Sequence, residues 1–229
     1  MLIRFFIIAS CLFTALPATA VPIVFSGTDV GAATTNANQA FANWSASVGA
    51  FTLDNLDGLT GTLGFGGSVT SALGNVYSTP DDLLGTQNLT FGVLDGTSLR
   101  LTRVGNLTQL NWQPLVPVDA FGFFSRNHFG GTVTIAFNDG AVRSFALTAA
   151  GPAGPGDNLF WGVDALDNPI TNVMITSTDP LTLSANSFFD RFVYVSAADI
   201  PEPATLGLVL AGLAGLYRSR RAACAGGMR

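Results

Sequence analysis

The chain has 229 residues, ten Arg and no Lys, and fourteen Asp against a single Glu, for a formal net charge of −5. Between residues 21 and 199, five Arg face fourteen Asp, a net −9 that repels phosphate backbones and argues against nucleic acid as a partner. Cys11 and Cys224 lie in the terminal segments, so no disulfide can staple the body, whose length suits one domain or two small ones.

The chain opens on an apolar leader. Arg4 supplies one positive charge, "FFIIASCLFTAL" is a twelve-residue apolar core, and "PATA" ends on Ala18-Thr19-Ala20. Small residues at 18 and 20 fit the site that a signal peptidase reads, so residues 1–20 are expected to be a signal peptide cleaved before Val21. An uncleaved N-terminal anchor is the alternative, and the apolar run is short for it. "IASC" has the form of a lipoprotein box, but cleavage there would follow only six apolar residues.

Residues 21–199 are expected to form one domain. One helix is predicted, over "NANQAFANWSASVGA", where Ala40, Phe41, Trp44 and Val48 form a stripe at helical spacing. Elsewhere short alternating runs are bounded by Gly, Asn, Asp and Pro, the pattern of an antiparallel all-β domain. The clearest is "GGTVTIAFNDGAVRSFALT": Val133, Ile135 and Phe137 share one face, Asp139-Gly140 suits a tight turn, and Phe145 and Leu147 return on the apolar side. "NLTFGVLDG" and "SLRLTRVG" are expected to be joined by a second turn at Asp95-Gly96. Further runs are "VDAFGFFS", "NLFWGVDA", "ITNVMITS" and "DRFVYVS". Eight or more such strands predict an all-β fold, a single antiparallel β-sandwich of jelly-roll type with a Phe-rich core.

The body's chemical inventory is sparse. It holds one histidine and no Cys, Lys or Glu, which removes thiol nucleophiles, lysine Schiff bases and the usual zinc ligands. A serine triad would need His128, in "FSRNHFGG", and no nucleophile elbow accompanies it; the residue reads as part of a glycine turn. Asp54/Asp57, Asp81-Asp82 and Asp164/Asp167 are the carboxylate pairs that a glycosidase would require, but each sits where turn chemistry alone calls for Asp. No catalytic residue is assigned, and an enzyme is not expected. A structural calcium ion suits such oxygen-rich loops better than catalysis, although "DNLDG" at 54–58 lacks the D-x-D-x-D-G spacing, and no metal ligand is assigned. The sequons at Asn43, Asn88 and Asn106 are of a kind that arises by chance in an Asn/Ser/Thr-rich chain. Trp44, Trp112 and Trp161 could stack on sugar rings if exposed, but core packing is the expected fate of at least two of them.

The C-terminal segment 200–229 is more informative. Pro201 and Pro203 hold the chain extended around Glu202, the only glutamate. From Ala204 to Tyr217 run 14 uncharged residues, roughly 21 Å of helix at ~1.5 Å per residue, marginal for a transmembrane span. Arg218, Arg220 and Arg221 would hold its end in the cytoplasm. This order, "PEPAT", a Leu/Gly/Ala-rich helix and a terminal arginine cluster, resembles the PEP-CTERM protein-sorting signal of Gram-negative bacteria over residues 200–221. Ile200 stands where Val is usual, and "AACAGGMR" extends beyond the arginines. The resemblance implies recognition of Pro201, Glu202 and Pro203 by an exosortase, transient membrane anchorage, and delivery to the cell surface or exopolysaccharide matrix. The body resembles the jelly-roll-like domains such proteins carry, a resemblance that names no ligand. The expected function is that of a non-enzymatic surface or matrix protein. The alternatives are a carbohydrate-binding module for extracellular polysaccharide and a plain single-span anchored protein.

Overall fold

The structure is a computed structural model that describes residues 21–80, 82–91, 93–102, 108–126, 130–147, 157–177 and 186–197. The signal-peptide segment, His128 and the whole C-terminal signal lie outside the described residues. In chain order, β1 (Ile23–Asp29) leads into α1 (Thr35–Val48). Short strands β2 (Thr52–Asp54), β3 (Thr60–Thr62), β4 (Gly64–Phe65), β5 (Ser68–Thr70) and β6 (Val76–Ser78) follow. Then come β7 (Leu83–Phe91), β8 (Leu94–Thr102), β9 (Thr108–Gln113) and β10 (Val118–Arg126). The last five are β11 (Gly131–Phe137), β12 (Val142–Leu147), β13 (Asn158–Asp164), β14 (Ile170–Ser177) and β15 (Asn186–Ser196).

The strands form one antiparallel hydrogen-bonded network that folds over on itself. One half runs β1–β13–β10–β15–β8–β7–β4, with β2 also on β15; the other runs β12–β11–β14–β9–β6–β5–β3. A single pair, Val118 opposite Ile170, bridges them between β10 and β14. The ends β3 and β4 are consecutive in sequence, so along that path the network is nearly closed, while β1, β2 and β12 each pair with a single strand. The two halves face each other across the main core, where Trp112 packs on Phe121 at 4.3 Å between ring centroids and Phe145 on Trp161 at 5.9 Å. Such aromatic pairs explain the Phe-rich composition.

A second, smaller core lies on the outer face of the first half, under α1. Strands β10 and β13 are therefore buried on both faces almost end to end, and this is why "AFGFF" and "LFWGV" read as continuous apolar runs without alternation. Within those runs Gly122 and Gly162 stand directly opposite each other. A Cβ on Gly162 would come 2.8 Å from Trp44 Cδ1, and one on Gly122 would come 2.9 Å from the Phe160 ring. The missing side chain at Gly162 makes room for the helix's indole, and that at Gly122 for the Phe160 ring beside it. The N-terminus of α1 is held from β1: Asp29 accepts hydrogen bonds from the Asn36 and Ala37 N–H groups at 3.0 and 2.9 Å, satisfying donors that the helix cannot.

The predicted helix and the 131–147 hairpin are both present. In the hairpin the Gly140 N–H donates to the Phe137 carbonyl and Phe137 N–H to that of Ala141, with Gly140 at φ +84, a type I turn closed by a left-handed glycine. The second turn is displaced. β7 and β8 pair from Phe91 opposite Leu94, so Asp95-Gly96 lies within β8, opposite Thr90 and Leu89. Burial decides the difference: Val93 and Leu94 belong to the second core, and the Val93 N–H donates to Asn158 Oδ1.

Candidate functional site

The carboxylates singled out in the sequence have different fates. Asp54 is consumed by structure, accepting from Leu56 N–H, Ser71 Oγ, Asn75 Nδ2 and Tyr77 OH. Its sequence neighbour Asp57 is exposed and accepts from Asn55, so the two form no facing pair. Asp82 is buried and accepts from Gln109 N–H; Asp81 lies outside the described residues. Asp164 and Asp167 line a cleft, and there the structure adds a third carboxylate, Asp119, which the sequence did not single out.

The cleft, about 320 Å³, opens where β10, β13 and β15 meet the C-terminal end of α1. It is lined by Ser47 and Val48 of the helix, Asp119 and Ala120 of β10, Asp164 of β13, Leu166 and Asp167 of the turn that follows, and Val195. Register explains the assembly. Asp164, Ala120 and Val195 are cross-strand neighbours in one row. Between β10 and β15 the pairing slips from Val118–Ser196 to Ala120–Val195, so Asp119 is the extra residue of a bulge. A bulge breaks strict alternation, and consecutive residues Asp119 and Ala120 both reach the cleft. Asp164 anchors the turn, accepting from Leu166 N–H at 3.1 Å and from Ser47 Oγ at 3.1 Å. Leu166 itself sits at φ +58, an uncommon conformation for a branched side chain, and its strain is held by that contact.

Asp119 is the electrostatically unusual member. It is 8 % exposed, and its carboxyl receives no hydrogen bond from the described residues. Burial raises its pKa above the ordinary aspartate value, and the charges of Asp164 and Asp167 raise it further. In the unfolded chain the same group ionises at its ordinary pKa, so above the raised value its charge costs the fold stability. That cost fades as pH falls through the raised pKa. Asp119→Asn, which keeps the shape and removes the charge, is therefore expected to raise Tm at pH 7 by about 2–4 °C. Calorimetry at pH 7 and again well below 3.8, the unperturbed value, checks this; the gain should shrink at the lower pH.

The tryptophans follow the expectation of core packing, and the sugar-stacking alternative is overturned. Trp44, Trp112 and Trp161 are all fully buried, so none can serve as a sugar-stacking platform. Of the sequons, Asn43 lies on α1, where it accepts from Gln39, and Asn88 on β7; Asn106 is outside the described residues. Among the described residues no three His, Cys, Asp or Glu are placed to hold a metal ion, and no helix is long and apolar enough to cross a membrane.

Comparison with known proteins gives two kinds of result. No curated protein matches the chain. Among solved structures it is similar to a variant of a family 29 carbohydrate-binding module, with TM-score 0.34 and 14% identity over 67% of this chain and 97% of that one. A family 29 module from Piromyces equi gives 0.33 and 12% over 66% and 95%. The enzymatically active domain of tailspike protein 4 from bacteriophage CBA120 gives 0.36 and 16%, over 64% of this chain and 19% of that one. In the sequence itself, residues 199–221 match the PEP-CTERM protein-sorting motif, which implies export and surface sorting. The chain is thus a protein that carries a PEP-CTERM sorting motif.

Proposed function

We propose that the chain is a non-enzymatic, exported cell-surface or exopolysaccharide-matrix protein. Its body, residues 21–199, is a jelly-roll-like β-sandwich delivered by a cleaved signal peptide and a C-terminal signal. The observation that carries this is the motif at residues 199–221, placed behind an acidic body without thiol, lysine or glutamate chemistry. Pro201, Glu202 and Pro203 are the elements an exosortase would read. Ala204–Tyr217 is the transient membrane segment, and Arg218, Arg220 and Arg221 keep its end inside until cleavage.

Mass spectrometry of the protein from envelope and extracellular fractions tests the proposal. The expected mature form begins at Val21 and has lost the segment beyond the Pro-Glu-Pro. Replacing Pro201, Glu202 and Pro203 together with alanine should leave it in the membrane fraction. Extracellular protein that still ends at Arg229 would refute sorting by cleavage, and intact protein confined to the membrane would favour the single-span anchor.

A further inference from the structure

Asp119, Asp164 and Asp167 line one cleft, and no cationic side chain lines it with them. Asp164 is already engaged at both oxygens, by Leu166 N–H and Ser47 Oγ. Asp119 is not: it is more than nine-tenths buried, accepts nothing from the described residues, and is turned into the cleft by the β10 bulge. A buried carboxylate in this state is held at a cost that an opposite charge would offset. The last turn of α1 adds to the demand, because it contributes the negative end of the helix dipole and has no basic residue of its own.

We infer that this cleft binds an alkylammonium group, the side chain of a lysine presented by a partner protein. Val48, Ala120, Leu166 and Val195 supply apolar surface for the methylene stem, while the carboxylates take the charged head. The acceptor arrangement selects the kind of cation. A metal ion needs several oxygens within about 2.6 Å, and no such group exists among the described residues. A guanidinium's planar fork engages one carboxylate at a time, and Asp164, each of whose oxygens already holds a different donor, is closed to it. An ammonium has three divergent donors and can address carboxylates on separate elements. The chain contains no lysine, so neither its own side chains nor those of a second copy can be the source.

Titration calorimetry of the purified mature protein with Nα-acetyl-lysine methylamide tests this, with the norleucine and arginine analogues, cadaverine and calcium chloride as comparators. The lysine probe is expected to bind saturably, and at least about tenfold more tightly than its neutral norleucine isostere. Asp119→Asn should weaken it by about tenfold or more, whereas Asp57→Asn, at an exposed carboxylate that does not line the cleft, should leave it unchanged. Because Asp119→Asn is expected to stabilise the fold, lost binding could not be ascribed to unfolding. Equal binding of norleucine, tighter binding of calcium or of the arginine analogue, indifference to Asp119→Asn, or no saturable binding would each overturn the inference. Cadaverine binding without the lysine probe would transfer the site to a free diamine and overturn the protein-partner assignment.

Discussion

Asp54→Ala is expected to destabilise the body by about 3–5 kcal/mol, the range for stripping a buried charged group from its partners. Asp54 ends β2, is 1 % exposed, and pairs through its backbone with Phe192 of β15 in the first half of the network. Its carboxylate reaches to the other half, where Oδ2 accepts from Ser71 at 2.6 Å, Asn75 at 2.8 Å and Tyr77 at 2.9 Å. The fourth donor is Leu56 N–H at 3.1 Å on Oδ1, which fixes the left-handed Leu56 at φ +61. Alanine would leave all four donors without their acceptor in a space too enclosed for easy hydration. Tyr77 will not relieve this by ionising, since burial, the largest of the causes that raise its pKa, persists when Asp54 is gone. Tyr77→Phe removes one of the four bonds and should cost about 1.5–3 kcal/mol. Urea unfolding of both variants decides the matter. An Asp54→Ala loss no larger than that of Tyr77→Phe would show that the carboxylate is not the hub.

Why this hub could not be found in the sequence is a matter of distance along the chain. "DNLDG" announces a turn, and Asp54 does begin one by accepting from Leu56 two residues on. Nothing local shows that residues 17, 21 and 23 positions away fold back onto the same oxygen. The same holds for Asp119. Within "VDAFGFFS" it reads as one polar residue in an apolar strand, and its bulge exists only because β15 returns in a slipped register. Elements whose cause is local were legible: the α1 stripe, the Asn138–Gly140 turn and the alternation on either side of it. The turn expected at Asp95-Gly96 failed because burial of Val93 and Leu94 outweighs the intrinsic preference of Asp-Gly. The tryptophans were ambiguous for a related reason. Gly162, which makes room for Trp44, is visible in the sequence, but its approach to a helix residue so far along the chain is not.

Trp44→Ala should cost a comparable amount, about 3–5 kcal/mol, but with a different spatial signature. Of the buried residues of α1, Ala37, Ala40 and Trp44, only the indole is large, and the half-buried Phe41 supports it against Phe124 and Phe160. Trp44 fills the depression over Gly162, donates from Nε1 to the Val163 carbonyl at 3.1 Å, and packs within 6.2 Å of the Phe41, Phe51 and Phe160 rings. Truncation removes the anchor and leaves a cavity bordered by rigid strand backbone, which cannot collapse to fill it. The helix is then held by the Asp29 bonds at its first turn and by Phe41, and its hold weakens at the end that borders the cleft. Amide exchange should accelerate across Thr35–Val48 and along β1, ahead of β11 and β14, which belong to the other core. Binding at the cleft should weaken in the same variant, because Ser47 and Val48 would no longer be held against β10 and β13. Uniform acceleration across both cores would mean instead that the helix and the sandwich unfold as a single unit. A stability change under about 1 kcal/mol would mean that the other contacts of α1, and not the indole, set the seat of the helix.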